Sequence, residues 1–112
     1  MVKMVLLLKR RAGMSVEDFK DYYEKKHAVL GRKILSKAVR YEQRFIQSMS
    51  DGLGETYDCI TEVWFNDEAG MQAALASAAE PGNAALRAED AAKLFERDMI
   101  RFYVVTEERS SL

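Results

Sequence analysis

Apolar and polar residues recur along the chain with two different periods, and the switches between them outline the elements. Residues 2–9 are rich in Val and Leu with apolar side chains on both faces, the pattern of a central strand covered on both sides. Gly13 breaks that run. Ser15-Val16-Glu17-Asp18 then opens a helix, because Ser15 can cap the free amides and the two acids suit the positive end. Val16, Phe19, Tyr23 and Leu30 follow at near-helical spacing, which predicts a helix over about 16–26 and a less regular stretch through 31–36. Val39, Tyr41 and Phe45 alternate with Arg40, Glu42 and Arg44, so 39–47 reads as a second strand whose charged face suits a sheet edge. Two glycines and an Asp-Gly pair make 48–55 a connecting loop.

Residues 57–65 form the clearest strand. One face carries Tyr57, Cys59, Thr61, Val63 and Phe65 and reads as core; the other mixes Asp58, Ile60, Glu62 and Trp64. Asn66-Asp67-Glu68 starts the next helix, Met71, Ala74, Leu75 and Ala78 give it an apolar stripe, and Glu80-Pro81-Gly82 ends it. A further helical piece places Ala88, Ala91, Ala92 and Phe95 on one side, residues 100–105 make a fourth strand, and 109–112 read as a frayed tail. The order β-α-β-β-α-β predicts an α+β, ferredoxin-like domain with both helices on one face of a four-stranded antiparallel sheet. The other face is then bare. Leaving Ile60, Trp64 and one apolar set of the outer strands in water exposes a larger patch than soluble monomers tolerate, so a homodimer packed sheet to sheet is expected. The space between two such sheets is a barrel that can hold a ligand.

Composition narrows the classes. With 112 residues there is room for one domain, its core spanning about 3–107. Seventeen basic against eighteen acidic residues give a net charge of −1, and the single cluster Lys9-Arg10-Arg11 is ordinary strand-end surface, so no nucleic-acid partner is expected. The one cysteine, Cys59, forbids an internal disulfide and suits a reducing, cytoplasmic setting. The longest apolar run, five residues from Met4 to Leu8, is too short for a signal-peptide core or a membrane helix.

The segment Tyr57-Asp58-Cys59-Ile60-Thr61-Glu62-Val63-Trp64-Phe65 resembles the "YDxxxExWF" strand of the EthD-like family of dimeric α/β-barrel proteins. Phe19, Tyr22 and Tyr23 followed by Lys26-His27-Ala28 are similar to that family's helix ending in a histidine, with Val29 where the family commonly has proline. Arg40-Tyr41 falls at its second strand, and Asp98-Met99-Ile100-Arg101-Phe102 resembles its closing strand. The resemblance implies a cofactor-independent, small-molecule enzyme of the oxidoreductase, monooxygenase, cyclase or isomerase kind, acting on an aromatic or polyketide-like compound. The alternative it leaves open is a non-catalytic ligand-binding or accessory protein of an oxidative degradation pathway.

His27 is the sole histidine, the side chain whose ordinary pKa of roughly 6.5 suits proton transfer at neutral pH. It reads either as a general acid/base facing a phenol or enol, or as a histidine favoured at a helix C-terminus by the dipole. Asp58 and Glu62 share a face, where carboxylates must line a wet cavity or meet Arg40, Arg44 or Arg101; an ion pair that orders the dimer is the favoured role for at least one. The expected site therefore has His27, Asp58 and Glu62 as catalytic groups. Tyr23, Arg40, Tyr41, Ile60, Trp64 and Phe102 would line the ligand, with Trp64 stacking on it. One histidine among scattered acids makes no preformed metal set, and no metal or other cofactor is expected.

Overall fold

The computed structural model describes residues 1–49, 56–106 and 110; most of the expected loop 48–55 and of the expected tail 109–112 lies outside the described residues. The strands are β1 (Val2–Leu8), β2 (Arg40–Phe45), β3 (Cys59–Phe65) and β4 (Arg101–Val105), arranged β2-β3-β1-β4 with every neighbouring pair antiparallel. This is the ferredoxin-like order. β1 is central as its two-sided apolar pattern requires, and charged β2 is an edge. Residues Cys59, Thr61, Val63 and Phe65 are buried and alternate with half-buried Ile60, Glu62 and Trp64, as the period of two dictates.

The helical layer covers one face only. Helix α1 (Val16–Tyr22) starts at Ser15, whose hydroxyl accepts the Asp18 N–H at 3.0 Å. It does not stop near residue 26. A wide turn over Tyr23–His27, closed by the Ala28 N–H donating to the Tyr23 carbonyl, carries the chain into α2 (Ala28–Ile34). Such a turn inserts one residue into the helical repeat, so Tyr23 and Ala28 are both buried while His27 stays half-buried beside them. Val16, expected inward, is exposed. After β3, Asp67 caps α3 (Glu68–Ala79) by accepting the Gly70 N–H at 2.7 Å. Glu80 makes a sharp corner, and Pro81 opens α4 (Pro81–Leu94), a position where its missing N–H costs nothing. The buried stripe of α4 is Asp90 and Leu94, flanked by half-buried Ala91; Ala88 and Ala92, expected inward, are exposed.

Two apolar clusters hold the layers together. Leu8, Phe19, Tyr23, Ala28, Cys59, Leu94 and Phe95 form one, and Met4, Val63, Phe65, Met71 and Ala74 form the other. Phe19 sits at its centre of the first, edge-on to Tyr23, Phe45 and Phe95 at 6.0–6.1 Å between ring centroids. Each such pair contributes about 0.5–1.5 kcal/mol beyond burial.

The other sheet face is laced with charge rather than plainly apolar. Glu62 accepts from Lys3 at 2.8 Å and from Arg44 at 2.6 Å, and Glu42 accepts from Arg40 at 2.7 Å and from Arg44 at 2.8 Å. Trp64 lies between the Lys3 ammonium at 5.2 Å and the Arg40 guanidinium at 4.5 Å. Outer strand β4 exposes Phe102, Tyr103 and Val104 on both its faces, at 46%, 51% and 53% of full exposure. Among the described residues no helix is long and apolar enough to cross a membrane.

Candidate functional site

Between the sheet and the helices lies a cavity of about 210 Å³. Met4, Leu6, Leu8 and Val63 floor it from the sheet, Leu30, Ile34 and Leu75 roof it from the helices, and its polar lining is His27, Tyr41, Thr61, Arg87 and Asp90. The wide turn in the first helix is what directs His27 here. Its ring packs on Tyr23 at 4.6 Å and edge-on to Phe95 at 5.0 Å between centroids. Nδ1 meets Asp90 Oδ2 at 2.5 Å, and no polar group of the described residues contacts Nε2. His27 thus stands in mid-helix, and the reading of it as a helix C-terminal histidine falls away.

Asp90 is a buried carboxylate, 8% exposed, on the inner stripe of α4. Burial of an ionisable group is costly without partners; here it has the imidazole and the Tyr22 hydroxyl, whose pKa is raised by burial and then by the bond to Asp90. Deeper in the same layer the Tyr23 hydroxyl hydrogen-bonds both the Thr61 hydroxyl and, at 3.1 Å, that of Tyr41. Burial pushes the Tyr41 phenol up to about 12 and the Tyr23 phenol higher still, and the Cys59 thiol up to about 11. These three groups are therefore neutral hydrogen-bonding groups at physiological pH. His27 and Asp90 form the one coupled acid–base pair that the cavity presents.

The sheet divides the residues singled out from the sequence. His27, Tyr23, Tyr41 and Phe102 belong to the helix side, and all but Tyr23 line the cavity. Arg40, Ile60, Glu62 and Trp64 lie on the opposite face, since even-numbered β3 positions and their partners on β2 point away from the helices. Glu62 is held below the usual carboxylate range by hydrogen bonds from Lys3 and Arg44. Asp58 is apart from both groups, before β3, where it accepts the Arg10 backbone N–H at 2.8 Å and pairs with Lys9 at 3.6 Å. Arg101, a conceivable partner for the carboxylates, instead donates to the Asp98 and Ile100 carbonyls at 2.9 and 3.1 Å. Asp90 and Arg87 were not singled out; the one signal for Asp90 is an acid falling on the Leu94 side of an otherwise alanine-rich helix. Among the described residues no three His, Cys, Asp or Glu side chains converge as a metal site would need.

Residues 11–103 match the EthD domain model. The chain belongs to the EthD family. An ethyl tert-butyl ether D (EthD) family protein from Bacillus halodurans has the same fold, with a TM-score of 0.67 at 22% identity over 96% of this chain and 99% of that one. A dimeric protein of unknown function and ferredoxin-like fold from Bacteroides fragilis superposes with a TM-score of 0.53 at 19% identity, covering 93% and 91% of the two chains. SnoaB, a cofactor-independent oxygenase from Streptomyces nogalater, gives a TM-score of 0.61 at 15% identity over 97% and 94%. No curated protein sequence matches the chain.

Proposed function

We propose that this EthD protein is a single-domain, cytoplasmic homodimer that catalyses proton transfer on a small aromatic or polyketide-like compound without a cofactor. The carrying observation is the His27–Asp90 pair inside an apolar cavity, with Nδ1 held at 2.5 Å and Nε2 left for a ligand. A base needs this arrangement. The carboxylate fixes the tautomer that presents a bare Nε2 and stabilises the imidazolium formed when a proton arrives. Nε2 takes the proton of a phenol, or of a carbon next to a carbonyl; the C–H electron pair moves onto the carbonyl oxygen as an enolate. Return of the proton to a different atom is an isomerisation, and attack of the enolate carbon on a second carbonyl is a cyclisation. The neutral Tyr41 hydroxyl supplies a donor in the same cavity.

Volume limits the ligand. An apolar cavity of roughly 150 Å³ accommodates benzene, so about 210 Å³ suits one substituted ring or a compact bicycle more than an extended polycycle. The similarity in fold to a cofactor-independent oxygenase is compatible with an enolate as the reactive species. Dimerisation is supported by the exposed residues of β4, the unshielded sheet face and the dimeric Bacteroides fragilis relative. Glu62, Trp64 and Arg40 then serve that face, and His27 serves the chemistry.

The test is deuterium exchange at the central carbon of benzoylacetone, a small aromatic 1,3-diketone, followed by NMR. Wild-type protein is expected to accelerate exchange, and His27→Gln to remove about a hundredfold or more of that acceleration. Exchange by His27→Gln as fast as by the wild type overturns the catalytic role. A probe that binds the wild type yet exchanges no faster than in buffer identifies a carrier or accessory protein instead.

A further inference from the structure

Arg87 is the one cation lining the cavity whose charge no acid answers. It is exposed, on the turn of α4 preceding Asp90, so it stands at the mouth of the cavity. Its natural mate is Asp90, three residues on and on the same helix face, but Asp90 is committed to His27 and Tyr22. Among the described residues Arg87 makes no ion pair; Nη1 donates to the Ala78 carbonyl at 3.0 Å, capping the end of α3. That bond anchors one arm of the guanidinium and leaves the rest of the fork without a partner. Other cations among the described residues, such as Arg11, Arg32 and Arg97, are also without an ion pair; Arg87 differs from them in lining the cavity.

A planar fork held at one end and open at the other fits a carboxylate, which it can grip with two parallel hydrogen bonds. Asp90 turns Oδ2 to the His27 ring at 2.5 Å and makes no ion pair with Arg87, so it does not occupy the guanidinium. We infer that the cavity takes small aromatic acids, with the ring among the apolar walls and the carboxylate at Arg87. This rests on the proposed small-molecule site and adds the charge class of its ligand. It also orients that ligand: an acid tethered at the mouth directs the far end of its ring inward, toward the floor.

Binding of 2-hydroxybenzoate and of its uncharged counterpart 2-hydroxybenzamide, measured by NMR shifts of backbone amides along α4, separates the claims. The acid is expected to bind the wild type about tenfold or more tightly than the amide. Arg87→Gln is expected to bring the two within about twofold of each other by weakening the acid alone, the amide's affinity reporting that the cavity is intact. Since Arg87 also caps α3, Arg87→Lys is the companion variant; it keeps a charge but not the fork, and the preference should fall severalfold. Equal affinities in the wild type, or a preference that survives Arg87→Gln, overturn the role of Arg87 and leave the pocket standing. Failure of both probes to bind the wild type at millimolar concentration overturns the pocket and the anion together.

Discussion

Asp90 holds His27 by a contact in which a charge strengthens the hydrogen bond, and such bonds contribute about 1.5–3 kcal/mol each. Asp90→Asn keeps the shape of the side chain and removes the charge. It is expected to lower stability by about that amount in denaturant melts, and to let the His27 ring exchange between tautomers, read from the imidazole ¹⁵N shifts. An unchanged tautomer would mean that packing on Tyr23 and Phe95, and not the carboxylate, orients the ring. His27 was legible in the sequence because it is the sole histidine and shares a face with Phe19 and Tyr23. Asp90 was not, since it lies 63 residues away and nothing in linear spacing joins them. Glu62 and Trp64 attracted attention through an unusual mixture of residues on one strand face, and that mixture is explained by ion pairs and cation stacking on the side away from the cavity.

Strands declared themselves through a strict period of two, and β3 follows it position by position. The first helix was harder. Its wide turn shifts the apolar positions out of the 3.6-residue rhythm, and Gly31 then resembles a stop signal although it sits inside α2. The reason for that glycine is steric. A Cβ at position 31 would stand 3.2 Å from the Tyr41 hydroxyl and 3.4 Å from the Tyr41 ring. Replacing a mid-helix glycine by alanine ordinarily gains about 0.5–1 kcal/mol. Here Gly31→Ala alone should gain nothing or lose stability, because Tyr41 is tied to Tyr23 and cannot withdraw freely. Combined with Tyr41→Phe, which removes the obstructing oxygen, the same change should stabilise relative to Tyr41→Phe by about that ordinary gain. Thermal melts of the four proteins in the cycle measure this, and a Gly31→Ala single variant as stabilised as the pair would show that the hydroxyl sets no limit.

At the scale of the whole molecule, buried acids and surface ion pairs bound the pH range from opposite sides. Cys59 rises from an ordinary 9.0 to about 11 and Tyr41 from 10.0 to about 12 on folding, so the unfolded chain loses these protons first. Their contribution to stability is complete below pH 9 and is lost as pH climbs through about 11 to 12. Glu62 has the opposite sign: held low by Lys3 and Arg44, it favours the folded state above its ordinary 4.5 and ceases to do so as pH falls below that value. Association provides the sharper test, because the open face carries Lys3, Arg40 and Arg44 paired with Glu42 and Glu62, and Val5, Leu7, Ile60 and Tyr103 between them. A two-fold partner that covers this face buries the apolar residues between the pairs. Light scattering on the eluting protein should give twice the 12.8 kDa chain mass at micromolar concentration. Tyr103→Asp, at a half-exposed edge-strand position that the isolated fold tolerates, should halve that mass without lowering the monomer's helix and sheet content by circular dichroism. A wild type that runs as a monomer removes the sheet-to-sheet contact, and a Tyr103→Asp protein that stays dimeric moves it off this face.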